Sequence, residues 1–165
     1  MKFNPFKMVE RIPSTKIRNR VLDVVMTVGI PFNRWLGMRL GHVSDEQITV
    51  ISPATTLRQN HVGGAHACAL ALIGEYAAGM LAARHYTPDK YRLIIGKLEI
   101  DYMKQGKGTL VGTALAPASW PEVKDGEGWV DMKTEITNKA GQTVAICKTK
   151  WQLKEWGSVG SAKKS

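Results

Sequence analysis

Cysteines, acidic residues and long apolar runs are all scarce in this sequence, and each shortage narrows what the chain can be. The two cysteines, Cys68 and Cys147, stand far apart and belong to no paired metal-ligand or redox spacing, so no disulfide framework is encoded. The simplest setting is a reducing one, the cytoplasm, with both residues expected as buried thiols. His42, His61, His66 and His85 are scattered, without the i, i+4 helical pairing or neighbouring carboxylates of a zinc site, so no metal is expected. No apolar run approaches the ~20 residues that cross a bilayer, so no transmembrane segment is expected. Met1 to Glu10 lacks the continuous apolar core of a secretory signal. With 14 Asp and Glu against 23 Lys and Arg, the net charge of +9 favours an anionic partner without naming it. Nucleic acid is not expected, because no strand carries the clustered aromatic and basic residues of a base-stacking sheet.

The 165 residues suit one domain with a real core. Ser14 is placed as an N-cap, and Ile17, Val21, Val24, Val25 and Val28 recur at helical spacing until Gly29 and Pro31 end the run. Residues 1–30 therefore form an N-terminal amphipathic helix extension that carries a net charge of +4. The expected arrangement packs its apolar stripe on the domain and turns its basic face to water; a membrane-surface helix is the alternative. Residues 31–156 form the main domain, and 157–165 a flexible tail. After a turn around Trp35 comes a hairpin whose second strand is Gln47 to Ile51. From Ala67 to Ala83 the residues are apolar or small on every side, which marks a helix enclosed by sheet. Four strands follow, Leu93 to Lys104, Thr109 to Ala116, Trp129 to Asn138 and Gln142 to Leu153. Their short links suggest a meander of antiparallel neighbours. The class is α+β, with one antiparallel sheet around a long central helix.

Between His61 and Arg84 the only formally charged residue is Glu75. Burying a carboxylate costs several kcal/mol unless it is paired or neutralised. Either Glu75 lies at an edge of the helix and meets a Lys or Arg from the sheet, or it is a base held in a partly dry cleft. Just upstream, Gly63-Gly64 lets backbone approach a ligand, and the helix start offers unpaired amides suited to an oxyanion hole.

These residues resemble a family. Asn60-x5-His66-x8-Glu75, with Gly63 inside it and an apolar helix following, is similar to the pattern of hotdog-fold acyl-CoA thioesterases of the phenylacetyl-CoA (PaaI-like) type. Ile100-Asp-Tyr-Met-Lys-Gln105 looks like that family's strand motif, and Pro31-Phe-Asn-Arg-Trp-Leu-Gly37 like its entry segment. One departure is His66-Ala67-Cys68 where many members have His-Gly-Gly, which points toward a thioesterase-like branch of the YiiD C-terminal-domain type.

The resemblance implies a hotdog fold, antiparallel sheet wrapped around the helix, and hydrolysis of an acyl-CoA or other acyl thioester to free acid and thiol. It gives Glu75 the role of general base or nucleophile and the Ala67 amide that of oxyanion donor. Asn60 and His66 would orient the thioester or the water. No cofactor is implied, since coenzyme A is part of the substrate. A non-catalytic acyl-CoA or lipid-binding hotdog protein is the alternative.

Helix geometry adds a condition of its own. Nine residues separate His66 from Glu75, roughly 13 Å along a helix and half a turn apart in direction. If both serve one site, that site must span two subunits of a homodimer, which leaves a dimer of dimers open.

Overall fold

The computed structural model describes residues 4–157; the expected flexible tail lies outside the described residues from 158 onward. Helix α1 (Pro5–Val9) is capped by the Asn4 side chain, which accepts from the amides of Phe6 and Lys7. Five residues are too few for helical periodicity to show in the sequence, yet Phe6 and Val9 reach the core.

Helix α2 (Thr15–Gly29) starts at Ser14, whose hydroxyl accepts from the Ile17 amide. Its inward face is the expected one only in part, with Val21 against the core. Leu22 is the residue it buries, while Ile17, Val24 and Val28 are exposed. The cause lies in strand β1 (Arg39–Val43), which is an edge of the sheet and so presents backbone groups that need partners. Asn19 donates to the Gly41 carbonyl, and the Asp23 carboxylate accepts from the Leu40 amide at 2.6 Å. These contacts turn polar residues of α2 toward the sheet and leave Ile17, Val24 and Val28 outside, while Val21 of the expected stripe does pack against the core.

Helix α3 (Pro31–Arg34) leads to β1, which pairs with β2 (Gln47–Ser52) as the expected hairpin. A short 3₁₀ turn, Thr56–Arg58, precedes helix α4 (Ala67–His85), and β3 (Tyr91–Tyr102), β4 (Leu110–Leu115), β5 (Glu127–Asn138) and β6 (Thr143–Glu155) complete the chain. All pairings are antiparallel, in a six-stranded sheet of order β1-β2-β4-β5-β6-β3.

The meander therefore holds for β4, β5 and β6 but not for β3, which pairs with β6 at the far edge. The segment around Gly106 and Gly108 is a crossover and not a hairpin turn. The Gly106 carbonyl accepts from the Ala65 amide, and the Gly108 carbonyl accepts from Arg58, which ties the crossover to the start of α4.

Helix α4 is long and apolar enough to cross a bilayer, at a mean hydropathy of 1.3, but the sheet covers most of it. Ile73, Leu81, Leu110, Ile136 and Leu153 are fully buried, each worth about 1.5–3 kcal/mol. Close approach is bought with glycine at Gly74, where a β-carbon would collide with the side chain of Cys147. The buried Thr134 hydroxyl donates to the Gly74 carbonyl at 2.9 Å. Helix and sheet are thus fixed together one residue before Glu75. Gly74→Ala is expected to destabilise the fold by about 1–3 kcal/mol through overpacking, measured as a lowered urea midpoint.

Candidate functional site

The loop before α4 is built to hold the helix start still. The Asn60 side-chain oxygen accepts from the amides of Val62 and Gly64, and the Asn60 amide donates to the Gly64 carbonyl at 2.8 Å. Gly63 takes φ +74, a left-handed conformation that favours glycine. Gly64 lies under the side chain of Gln105, where a β-carbon would clash, and Gln105 itself donates to the Val62 carbonyl. The Ala65 and His66 amides donate across to Gly106 and Arg58. Asn60 is accordingly a turn-forming residue here, with only its side-chain NH2 left to face a substrate.

His66 is the N-cap of α4, with extended backbone and its Nδ1 accepting from the Cys68 amide at 3.2 Å. The neutral ring then carries its proton on Nε2. The His66 carbonyl accepts from Ala69 and Leu70. Ala67 remains: its amide has no hydrogen-bond partner among the described residues, and the residue is exposed. An N–H at the positive end of a 19-residue helix is suited to developing negative charge. The Tyr102 hydroxyl, donating to the Ala67 carbonyl at 3.2 Å, braces the same peptide group from β3.

Glu75 lies two turns along α4, on a stripe with Cys68, Ala71 and Leu72. Together with Phe32 and residues 95–98 of β3 these line an open cleft of about 410 Å³. Among the described residues Glu75 has no ion pair and no hydrogen bond. Lys97, the cation in the cleft, is paired with Glu99 at 2.9 Å. The sheet supplies no partner, so the paired-edge alternative for Glu75 is not what the fold builds. Burial pushes its carboxyl above the ordinary range, with nothing of opposite charge to pull it back.

Asn60, Gly63, Gly64, His66 and Ala67 are thus gathered at one end of α4, and Glu75 is not brought to them. The helix runs unbroken from Ala67 to His85, so the separation of roughly 13 Å stands. Within one protomer the two do not meet. Strand β3 lies along the Glu75 cleft. It pairs on one side only, with β6, and exposes Ile94, Leu98 and Tyr102. An unpaired edge of this kind is a template for another strand.

Three residues at the site were given no role from the sequence, although Phe32 and Tyr102 lie within the entry segment and strand motif. Cys68 was expected to be buried but is exposed, and only Cys147 is buried. Its position seven residues before Glu75, two helical turns, would have placed it on the Glu75 face. Phe32 and Tyr102 come from α3 and β3, and no local spacing links them to α4. Among the described residues no group of three or more His, Cys, Asp or Glu is placed to hold a metal ion.

A family model described as a domain of unknown function, DUF4442, matches residues 18–153. Among solved structures, a thioesterase from Pseudomonas aeruginosa aligns with a TM-score of 0.71 at 12% identity, covering 88% of this chain and 97% of that one. A thioesterase from Staphylococcus aureus aligns at 0.65 and 17%, covering 75% and 98%. A Thermus thermophilus protein aligns at 0.61 and 17%, covering 74% and 96%. These likenesses show the fold, an α+β hotdog with a long central helix, as the resemblance implied, to which this chain adds the N-terminal helix that its spacing predicted. No curated protein matches the sequence.

Proposed function

The chain belongs to the DUF4442 family, and from that premise we propose that it is a thioester hydrolase acting on acyl-CoA or a related acyl thioester. The observation that carries this reading is Glu75: a half-buried carboxylate without a partner, facing an open cleft. Such a group costs stability and is retained here beside a helix start with an unpartnered amide. The named thioesterases among the structural relatives lean the same way.

In the proposed reaction Glu75 takes a proton from water, and the hydroxide adds to the thioester carbonyl carbon. The carbonyl oxygen becomes an oxyanion and is held by the Ala67 amide of a second subunit. Collapse expels the thiolate, which recovers the proton from Glu75, so that acid and thiol leave. Direct attack by the carboxylate, followed by hydrolysis of the anhydride, uses the same residues. His66 Nε2–H and the Asn60 NH2 are positioned at the same end to orient the thioester.

The proposed unit is a homodimer formed through the β3 edges, with a dimer of dimers left open. The compartment is the cytoplasm, in keeping with two unpaired cysteines. No cofactor takes part; coenzyme A arrives as part of the substrate.

The raised pKa of Glu75 sets a pH profile. The base acts only when ionised, so kcat/KM is expected to climb as pH rises through a value above 4.5 and then level off. A panel of acyl-CoA substrates assayed across pH tests this. If binding is seen without turnover of any member, the protein is the non-catalytic acyl-CoA binder.

A further inference from the structure

Helices α2 and α3 leave one face of the molecule uncovered. Ile17, Val24 and Val28 fall within about 40° of one another around α2, and all are exposed, Val28 at 76%. The chain continues this apolar surface through Phe32 and Trp35, which are 73% and 74% exposed. Arg20, Arg34 and Arg39 line a groove of about 610 Å³ whose wall Val24 and Val28 complete. Lys16 and Arg18 lie on either flank of the stripe. None of these five cations has an ion pair among the described residues. Asp23, the acid in the groove, accepts from the Leu40 amide and is close enough to Arg39 and Arg20 to offset part of their charge, while Arg34, Lys16 and Arg18 face no such acid among the described residues.

We propose that this face docks the protein on an anionic lipid surface, with the valine stripe, Phe32 and Trp35 entering the headgroup layer and the arginines meeting lipid phosphates. An apolar stripe flanked by cations is the pattern of a helix lying in a membrane interface, and an exposed Trp sits well at headgroup depth. A second copy of the chain fits less well: a two-fold contact would set the arginines of both copies against one another, with only Asp23 of each, already bonded to its own Leu40 amide, to offset them. Nucleic acid would answer the arginines but leave the apolar stripe in water. Phe32 also lines the Glu75 cleft, so the docked face opens beside it. If the hydrolase reading holds, acyl chains partitioned in the lipid have a short path to the base. The docking itself does not depend on that reading.

The test is flotation of the full chain with vesicles of phosphatidylcholine, alone or mixed with phosphatidylglycerol. Binding is expected at least about tenfold tighter on the mixed vesicles and weakened by salt. Arg20→Glu and Arg34→Glu should each weaken it by about fivefold or more. The Val24→Glu, Val28→Glu double variant should lose at least about tenfold while keeping its thermal unfolding midpoint, since both positions are exposed. Trp35→Phe should abolish the blue shift of tryptophan fluorescence on binding. Glu75→Gln should bind as the wild type does, which separates this proposal from the catalytic one. The proposal is overturned if neutral and anionic vesicles bind equally or not at all, or if the double valine variant binds unchanged. It is also overturned if that variant turns a wild-type dimer into a monomer, which assigns the face to a second copy, or if DNA competes the chain off and the valines prove indifferent.

Discussion

Replacing Glu75 with Gln is expected to lower kcat for acyl-CoA hydrolysis by about 10²–10⁴-fold with little change in substrate affinity, because a positioned general base contributes in that range. The amide keeps the size of the carboxylate, so the cleft keeps its shape. The same substitution carries a second expectation of opposite sign. In the folded chain the carboxyl is raised by burial, so the native state binds more protons than the unfolded one between the ordinary carboxylate value and the raised one. Stability therefore falls as pH rises through that window. Glu75→Gln removes this penalty, and its melting temperature should exceed that of the wild type at neutral pH. The difference should vanish below about pH 4.5, where both states of the wild type are protonated. An inactive variant that is also more stable is the signature of a charge retained for chemistry. A structural carboxylate would lose stability when neutralised.

The second large effect is expected from Ala67→Pro. Ala67 is the first residue of α4, the position where proline is best tolerated in a helix, because its missing N–H has no helical partner to lose. His66 already has the extended backbone, φ −62 and ψ 143, that a following proline requires. The substitution therefore removes one amide hydrogen and leaves the helix in place. If that hydrogen holds the oxyanion, kcat should drop by about 10²–10³-fold, the loss seen when one donor is taken from such a hole. Circular dichroism and the unfolding midpoint should stay near wild type. Ala67→Gly, which keeps the N–H, serves as the control and should retain activity.

Much of this site can be read from the sequence, and the part that cannot has a definite physical reason. The lone charge of Glu75 in an apolar run marks both the buried helix and the candidate base, since burial and chemistry leave the same trace there. The hairpin β1–β2 and the β4–β5–β6 meander follow from alternation and short links, which are local. The place of β3 does not. Its pairing with β6 spans half the domain, and the glycines at 106 and 108 serve a crossover as readily as a turn. The exposure of Cys68 depends on that same edge, because the stripe from Cys68 to Glu75 is open only where β3 ends the sheet. On α2, periodicity finds the helix but misjudges part of its inward face. The unpaired backbone of β1 draws in Asn19 and Asp23, at the expense of Val24 and Val28 but not of Val21. Asn60 illustrates a residue whose spacing suits two roles; the structure engages its oxygen in the turn and leaves the amide nitrogen.

The central claim is that each site takes Glu75 from one subunit and the Ala67 amide from the other, and mixing two inactive chains tests it directly. Glu75→Gln and Ala67→Pro chains, unfolded together in equal amounts and refolded, give dimers of which about half contain one chain of each kind. Every mixed dimer then holds one site with both groups intact and one with neither. About a quarter of wild-type activity should return, although each variant alone has almost none. If the mixture stays as inactive as its components while mixed dimers are present, Glu75 and Ala67 do not meet across a subunit interface and the account is wrong.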